Sequence, residues 1–384
     1  MTAEAEGHEG DGGHSAETLP AASRAEIRGE ARRILDAAWR TPGDGTGFCV
    51  PNPTTYPWQW LWDSCFHAVV WAHLGDERGL LEVRSALGAQ DADGFVPHLR
   101  YAGGESPHAG LWGRADTSSI TQPPMFGHAI AVLAEAGVDL PDEVLERATA
   151  GLRFLLERRK RSPGGLIELC HPWESGCDDS PRWDSVLGGA WTQTRWHAAK
   201  GDLVASIERS PTGAPLANPA FAVASVGFNA LVAWNARELV DVTGDRALAV
   251  AADEVVDALA VAWDAELATW IDDGPTRTGS GRVRTLDALL PALVLGTQDV
   301  AALLVDDGAY GARCGPCGVH RAEAAFDPAR YWRGPAWPQL TYLLWVAVSS
   351  DRSAAATAAS PSSVEAVGEA VGSSLVRSMV TGTL

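Results

Sequence analysis

"VGFNALVAWNARELVDV" (226–242) and, after Thr-Gly-Asp, "RALAVAADEVVDALAVAW" (246–263) decide the fold. Apolar residues recur every three or four positions in both, the period of a helix with one buried face. Gly244 is suited to end the first helix in a left-handed conformation, and Asp245 to cap the second. The unit is a helical hairpin. The same punctuation returns in "HLGDERGLLEV" (73–83), and the same period in "RAEIRGEARRILDAAW" (24–39) and "PDEVLERATAGLRFLLERR" (141–159).

Extended along the chain, the pattern predicts helices near 24–40, 63–74, 76–89, 122–137, 141–159, 187–199, 225–243, 245–263, 285–295, 297–305, 336–349 and 362–378, enough for six hairpins. No strand-like alternation is evident. Loops at 41–62, 91–121, 160–186, 265–283 and 306–335 are long and rich in Trp, Pro, Gly and carboxylates. Loops of that length in a compact domain are functional or disordered, and these are too aromatic to be disordered. Hairpins closed into a ring put such loops around one cleft, so the expected class is all-α, an α/α toroid forming a single domain over 21–384.

Residues 1–20, opening "MTAEAEGHEGDGGHSAET", lack an apolar run and read as a disordered tail rather than a signal peptide. "SSDRSAAATAASPSSVEA" (349–366) reads as a low-complexity linker before the last helix. The 384 residues carry 30 basic and 49 acidic side chains, a net charge of −19, without a cationic stripe. Such a balance repels phosphate backbones and anionic lipid, and no apolar run is long enough to span a bilayer. No nucleic-acid or membrane partner is expected, and the expected location is cytoplasmic. The six cysteines (Cys49, Cys65, Cys170, Cys177, Cys314, Cys317) are too few for a disulfide scaffold and are expected to be reduced thiols. "CGPC" (314–317) has redox spacing, but no strand precedes it and no amphipathic helix follows, and only His320 lies near as a further zinc ligand. It reads as a loop.

Three stretches carry chemistry. "TTYPWQWLWDSCFHA" (54–68) sets Tyr56, Trp58, Trp60 and Trp62 before Asp63. Aromatic faces pack on the C–H face of a sugar, and a carboxylate beside them accepts its hydroxyls. Asp63 is equally suited to capping a helix that starts at Ser64. "HPWESGCDDSPRWD" (171–184) gathers four carboxylates and an arginine. Asp178 follows small residues and has acidic neighbours that favour its protonated form, as a general acid requires. Asp184 is placed to cap the following helix, and Arg182 to pair with an acid inside the loop. In "RYWRGPAWPQLTYLLW" (330–345), Arg333 is suited to an acidic substrate group or to neutralising a site acid.

These three motifs, in this order, resemble glycoside hydrolase family 63, and within it the hydrolases of mannosylglycerate and glucosylglycerate, from about residue 24 onward. The resemblance implies an (α/α)6 barrel and an inverting α-glycosidase acting on a small anionic glycoside, with no metal and no cofactor. It makes Asp178 the general acid. Tyr56, Trp60, Trp62, Asp63, His67, Gln122 and the backbone at Gly176 would line the sugar subsite, with Tyr331 and Trp332 closing the glycerate side. The family's general base is a Glu in a Glu-Tyr-x-x-Pro-x-Thr-Gly segment, which this chain lacks before it ends at "SSLVRSMVTGTL". Glu365 and Glu369 belong to the preceding helix and read as surface charges. The expectation is a barrel incomplete at its C-terminal end, nearly inactive and prone to self-associate into a homo-oligomer. The alternative is a catalytically silent sugar-binding protein. A sugar epimerase or polysaccharide lyase on the same scaffold would use paired His or Tyr/His bases, and "ESGCDD" is carboxylate chemistry.

Overall fold

The computed structural model describes residues 21–43, 45–102, 106–185, 192–274, 282–296 and 300–355. The expected tail, the helix at 362–378 with Glu365 and Glu369, and most of the linker before it lie outside the described residues. The helices are α1 (Ala21–Ala38), α2 (Leu61–Leu74), α3 (Arg78–Leu87), α4 (Ala109–Trp112), α5 (Phe126–Glu135), α6 (Asp142–Arg153), α7 (Gln193–Ala205), α8 (Val226–Thr243), α9 (Arg246–Ala260), α10 (Ala292–Leu295), α11 (Val300–Val305) and α12 (Pro338–Ala355). No helix among the described residues is long and apolar enough to cross a membrane.

Burial divides the hairpins into two layers. In α8 every residue from Val226 to Ala236 is buried, whereas α9 buries only Leu248, Ala252, Val255, Val256 and Leu259, one stripe of its surface. The pairs α2–α3 and α8–α9 pack face to face, and α6 lies against both α8 and α9. Helices α2, α5 and α8 pack on one another as an inner row, continued by α10 and α12, and α3 and α6 meet behind it.

The Gly-Asp punctuation is realised at Gly244 (φ 70°), after which Asp245 accepts the backbone N–H groups of Ala247 and Leu248. At the earlier site Gly75 also ends α2 left-handed, and Asp76, one residue before the N-cap position of α3, accepts the N–H of Arg78, its first residue, at 3.1 Å. Its carboxylate also binds the Arg32 and Arg78 side chains. Other boundaries shift for local reasons. Pro123 and Pro124 cannot donate N–H, so the helix expected from 122 begins at Phe126. The segment expected at 285–295 splits into a 3₁₀ turn, Leu286–Leu289, and α10 beyond Pro291. The helix expected at 187–199 is capped by the Thr192 side chain and runs to Ala205. Short antiparallel ladders that periodicity did not foretell clip the loops together, among them Trp39–Arg40 with Phe48–Cys49, and Gln59–Trp60 with Leu99–Arg100. "CGPC" lies in turns with no helix after it, Cys317 buried and Cys314 partly exposed.

The inner row is closest at Gly127, where a Cβ would overlap the carbonyl of Asn235 on α8. Asn235 already spans the junction, accepting the His128 N–H at 2.8 Å and donating to the Leu231 carbonyl at 2.9 Å. Gly127→Ala must therefore push α5 and α8 away from each other. Its expected cost is about 2–3 kcal/mol, in the range of overpacked cores, read as a lower urea midpoint at unchanged m-value.

Candidate active site

Residues 171–184 form two 3₁₀ turns, Pro172–Ser175 and Pro181–Asp184, each opened by a proline that has no N–H to leave unsatisfied. Asp178 lies between them. The first turn is held by Glu174, fully buried, whose oxygens take Arg159 at 2.6 and 3.2 Å and the backbone N–H groups of Cys170 (2.6 Å) and Thr121 (3.2 Å). The second is held by Arg182, which donates to both oxygens of Asp272 at 2.8 Å and to Asp287. Both of its partners lie outside the loop, contrary to the sequence expectation. Asp184 accepts two hydrogen bonds from Arg333, at 2.6 and 2.8 Å, and does not cap α7. Gly176, at φ 76°, sits against Trp62, whose ring would lie 2.6 Å from any Cβ there.

The loop forms one side of a cleft of about 720 Å³. Tyr56, Trp58 and Trp60 form an aromatic wall, with Tyr101 and Trp112 behind, and Asp178, Asp179 and Tyr331 stand along it. From α7 come Gln193, His197 and Lys200, spaced so that one helix face meets the cleft. Lys200 is 8% exposed. Its ammonium lies 4.9 Å from the Trp173 ring centre, 4.7 Å from that of Trp196 and 3.5 Å from Asp179, which also accepts the Trp196 indole N–H.

Asp178 opens toward the cleft on one side and is walled by protein on the others. That burial pushes its carboxyl up to about 7; Lys200 and a hydrogen bond from Tyr331 pull it down, while Asp179 and Asp63 push it up. Asp63 is likewise raised to about 7 by burial. It sits in the first turn of α2, which begins at Leu61, so it does not cap a helix at Ser64, and its carboxyl turns back on its own backbone N–H.

Of the expected site residues, Tyr56, Trp60, Gln122, Asp178 and Tyr331 line the cleft. Gln122 accepts the Trp62 N–H at 3.3 Å, and Trp62 and Gly176 meet beneath the acid loop. His67 lies one turn along α2 from Asp63, its imidazole lowered to about 4 by burial and 3.6 Å from Glu82. Trp62, Asp63, His67, Gly176, Trp332 and Arg333 are not among the residues that line the cleft. Trp332 is 5% exposed, adopts φ 56° and stacks on Trp337 at 4.0 Å, while Tyr331 beside it is 44% exposed. Arg333, 3% exposed, is engaged with Asp184 and so takes the second of its two expected roles. Sequence reasoning missed the α7 face. Its signal is a polar stripe, Gln193, His197 and Lys200, at helical spacing just after the acid loop.

Residues 56–368 match the family model described as a mannosylglycerate hydrolase MGH1-like glycoside hydrolase domain. The mannosylglycerate hydrolase of Thermus thermophilus is 30% identical over 352 residues, covering 77% of this chain and 83% of that protein. The glucosylglycerate hydrolase of Mycolicibacterium hassiacum is 37% identical over 177 residues, 39% of each chain. The crystal structure of a GH63 mannosylglycerate hydrolase from Thermus thermophilus in complex with glucose superposes with a TM-score of 0.73 at 25% identity, covering 92% of both chains.

The raised carboxyl gives a signed expectation. An acid bound more tightly by its proton in the folded state adds stability that is full below its ordinary pKa of 3.8 and is lost as pH rises through about 7. Asp178→Asn, neutral at every pH, should therefore gain stability over the native protein as pH climbs from about 4 to about 7, and level off above. Urea midpoints of the two proteins across that range test it. A difference independent of pH would return Asp178 to an ordinary carboxylate.

Proposed function

The chain belongs to the mannosylglycerate hydrolase MGH1-like glycoside hydrolase family, and we propose that it is an (α/α)6 toroid that hydrolyses the α-glycosidic bond of a small anionic glycoside such as glucosylglycerate or mannosylglycerate, with inversion. The inner and outer rows of helices support the toroid. The observation that carries the activity is Asp178, held protonated up to about pH 7 beside an aromatic wall and with a cation at the same cleft. A cleft of about 720 Å³ suits a small ligand.

In this reading Tyr56 and Trp60 take the apolar face of the sugar. Asp63 and Gln122 accept hydroxyls near the N-terminus of α2. Asp178 gives its proton to the glycosidic oxygen as the C–O bond breaks, and water adds to the opposite face of the anomeric carbon, losing its proton to a second carboxylate. Lys200, a cation of the cleft lining, pairs with the carboxylate of the aglycone in exchange for Asp179. No metal or cofactor is assigned to this reaction. A cytoplasmic location accords with the cysteines being unpaired. A second reading, sugar binding without turnover, is favoured by Asp179. It is the other carboxylate among the described lining residues, and it is engaged by Trp196 and Lys200.

Asp178→Asn should lower kcat on these glycosides by about 10²–10⁴ while leaving substrate binding nearly intact, since it removes a proton donor and little volume. Lys200→Met should raise KM for the anionic glycosides about tenfold or more, and leave a neutral α-glucoside of similar size unaffected. Calorimetric titration and steady-state kinetics on the same samples separate binding from turnover. Substrate binding by the native protein without product would favour the second reading, and retention of more than about a tenth of the rate in Asp178→Asn would move the acid elsewhere.

A further inference from the structure

Among the residues that do not line the cleft, three side chains from three elements converge. Cys49 belongs to the strand segment Phe48–Cys49, His67 to α2 and Glu82 to α3, and one donor atom from each lies within 4.8 Å of the other two. Cys49 and Glu82 are fully buried. Glu82 uses one oxygen for the Cys49 backbone N–H at 2.7 Å. The Nδ1 of His67 is buried with no hydrogen-bond partner among the described residues, while Ser64 and Trp71 also approach the Glu82 carboxyl. A buried imidazole nitrogen without a partner, set against a buried thiol and a buried carboxyl, calls for a ligand that all three can bind.

We propose that Cys49, His67 and Glu82 bind one divalent transition-metal ion, with zinc the natural occupant, as a structural staple between the Phe48–Cys49 strand and the α2–α3 hairpin. Sulfur, imidazole nitrogen and carboxylate oxygen are the donor types of tetrahedral zinc. Around such an ion, at about 2.0–2.3 Å from each ligand, neighbouring donors stand about 3.5 Å apart, and the Nδ1 of His67 lies 3.6 Å from Oε1 of Glu82, whose second lone pair is left after the Cys49 N–H. Charge also balances: a thiolate and a carboxylate cancel the dication around a neutral imidazole, so the loaded site carries no net charge into the core. Three protein donors leave a fourth position for water. The two protons displaced from the thiol and the carboxyl leave to solvent past the partly exposed His67 side chain.

The ion would act through position. His67 is four residues from Asp63 on the same face of α2, so fixing His67 fixes the helical turn that presents Asp63. The "CGPC" pair, far along the chain, takes no part.

The purified chain, stripped with EDTA, is titrated with Co²⁺ and followed by absorption. The expected result is one ion per chain, the d–d bands of a tetrahedral site, a near-ultraviolet thiolate-to-cobalt band, loss of that band on adding Zn²⁺, and a higher melting temperature with either metal. Cys49→Ser should abolish the near-ultraviolet band, and Glu82→Gln should weaken Co²⁺ binding about tenfold or more. Cys314→Ser with Cys317→Ser should change nothing. Absence of the thiolate band in the native chain, its survival in Cys49→Ser, or unchanged affinity in Glu82→Gln would each overturn the proposal. Should Cys49→Ser fail to fold, Glu82→Gln and the Cys314/Cys317 double variant still decide it.

Discussion

Arg182 lies beneath the acid loop, 2% exposed, with both oxygens of Asp272 at 2.8 Å and Asp287 on its other side. Removing a guanidinium and two carboxylates from water costs several kcal/mol per ion before their attraction is counted. Apolar side chains would fill the same space with less penalty. What they would not supply is direction. Asp272 also accepts the N–H of Val226, the first residue of α8, at 3.0 Å, and the carbonyl of Asp287 packs where Gly227 has no side chain. The forked hydrogen bonds thus set the height of the loop above the most buried helix of the inner row.

Two further arginines complete the support. Arg159 holds Glu174 at the front of the loop, and Arg333 holds Asp184 at its back. Of the loop's four acids, Glu174 and Asp184 are committed to these bonds, and only Asp178 and Asp179 reach the cleft. Arg333 belongs to the same segment as Tyr331, so the ion pair with Asp184 also brings the tyrosine hydroxyl to Asp178. The backbone at Trp332 is left-handed and its ring stacks on Trp337, while Tyr331 meets both indoles edge-on and lines the cleft.

The features legible in the sequence are those governed by local rules. Helix period and the Gly244–Asp245 punctuation depend on neighbours along the chain, and the helices from α2 to α9 match their expected places to within a few residues, except where two prolines or the Thr192 cap moved a boundary and at the single turn α4, which lies in a stretch expected to be loop. The site was legible where unlike residues crowd together, as at Tyr56, Trp60 and Asp178. It was not legible where the partner is remote. The sequence near Arg182 does not reveal that its acids are Asp272 and Asp287, nor that Asp184 meets Arg333 rather than a helix end. Lys200 was missed because a lysine on an amphipathic helix ordinarily points to water, and only the packing of α7 over Trp173 and Trp196 turns it inward.

Gly176 and Trp62 divide the cleft into a region that can change and a region that cannot. With φ at 76° and the indole filling the space a methyl would need, residue 176 tolerates no larger side chain while Trp62 remains, and a smaller residue at 62 would leave the acid loop without its floor. The two positions can change only together. Tyr56 and Tyr331, 43% and 44% exposed at the rim, are under no such bond. Preference for one sugar epimer over another can therefore drift at the mouth of the cleft while the proton donor stays where it is, and divergence among relatives should collect in the rim aromatics rather than on the floor.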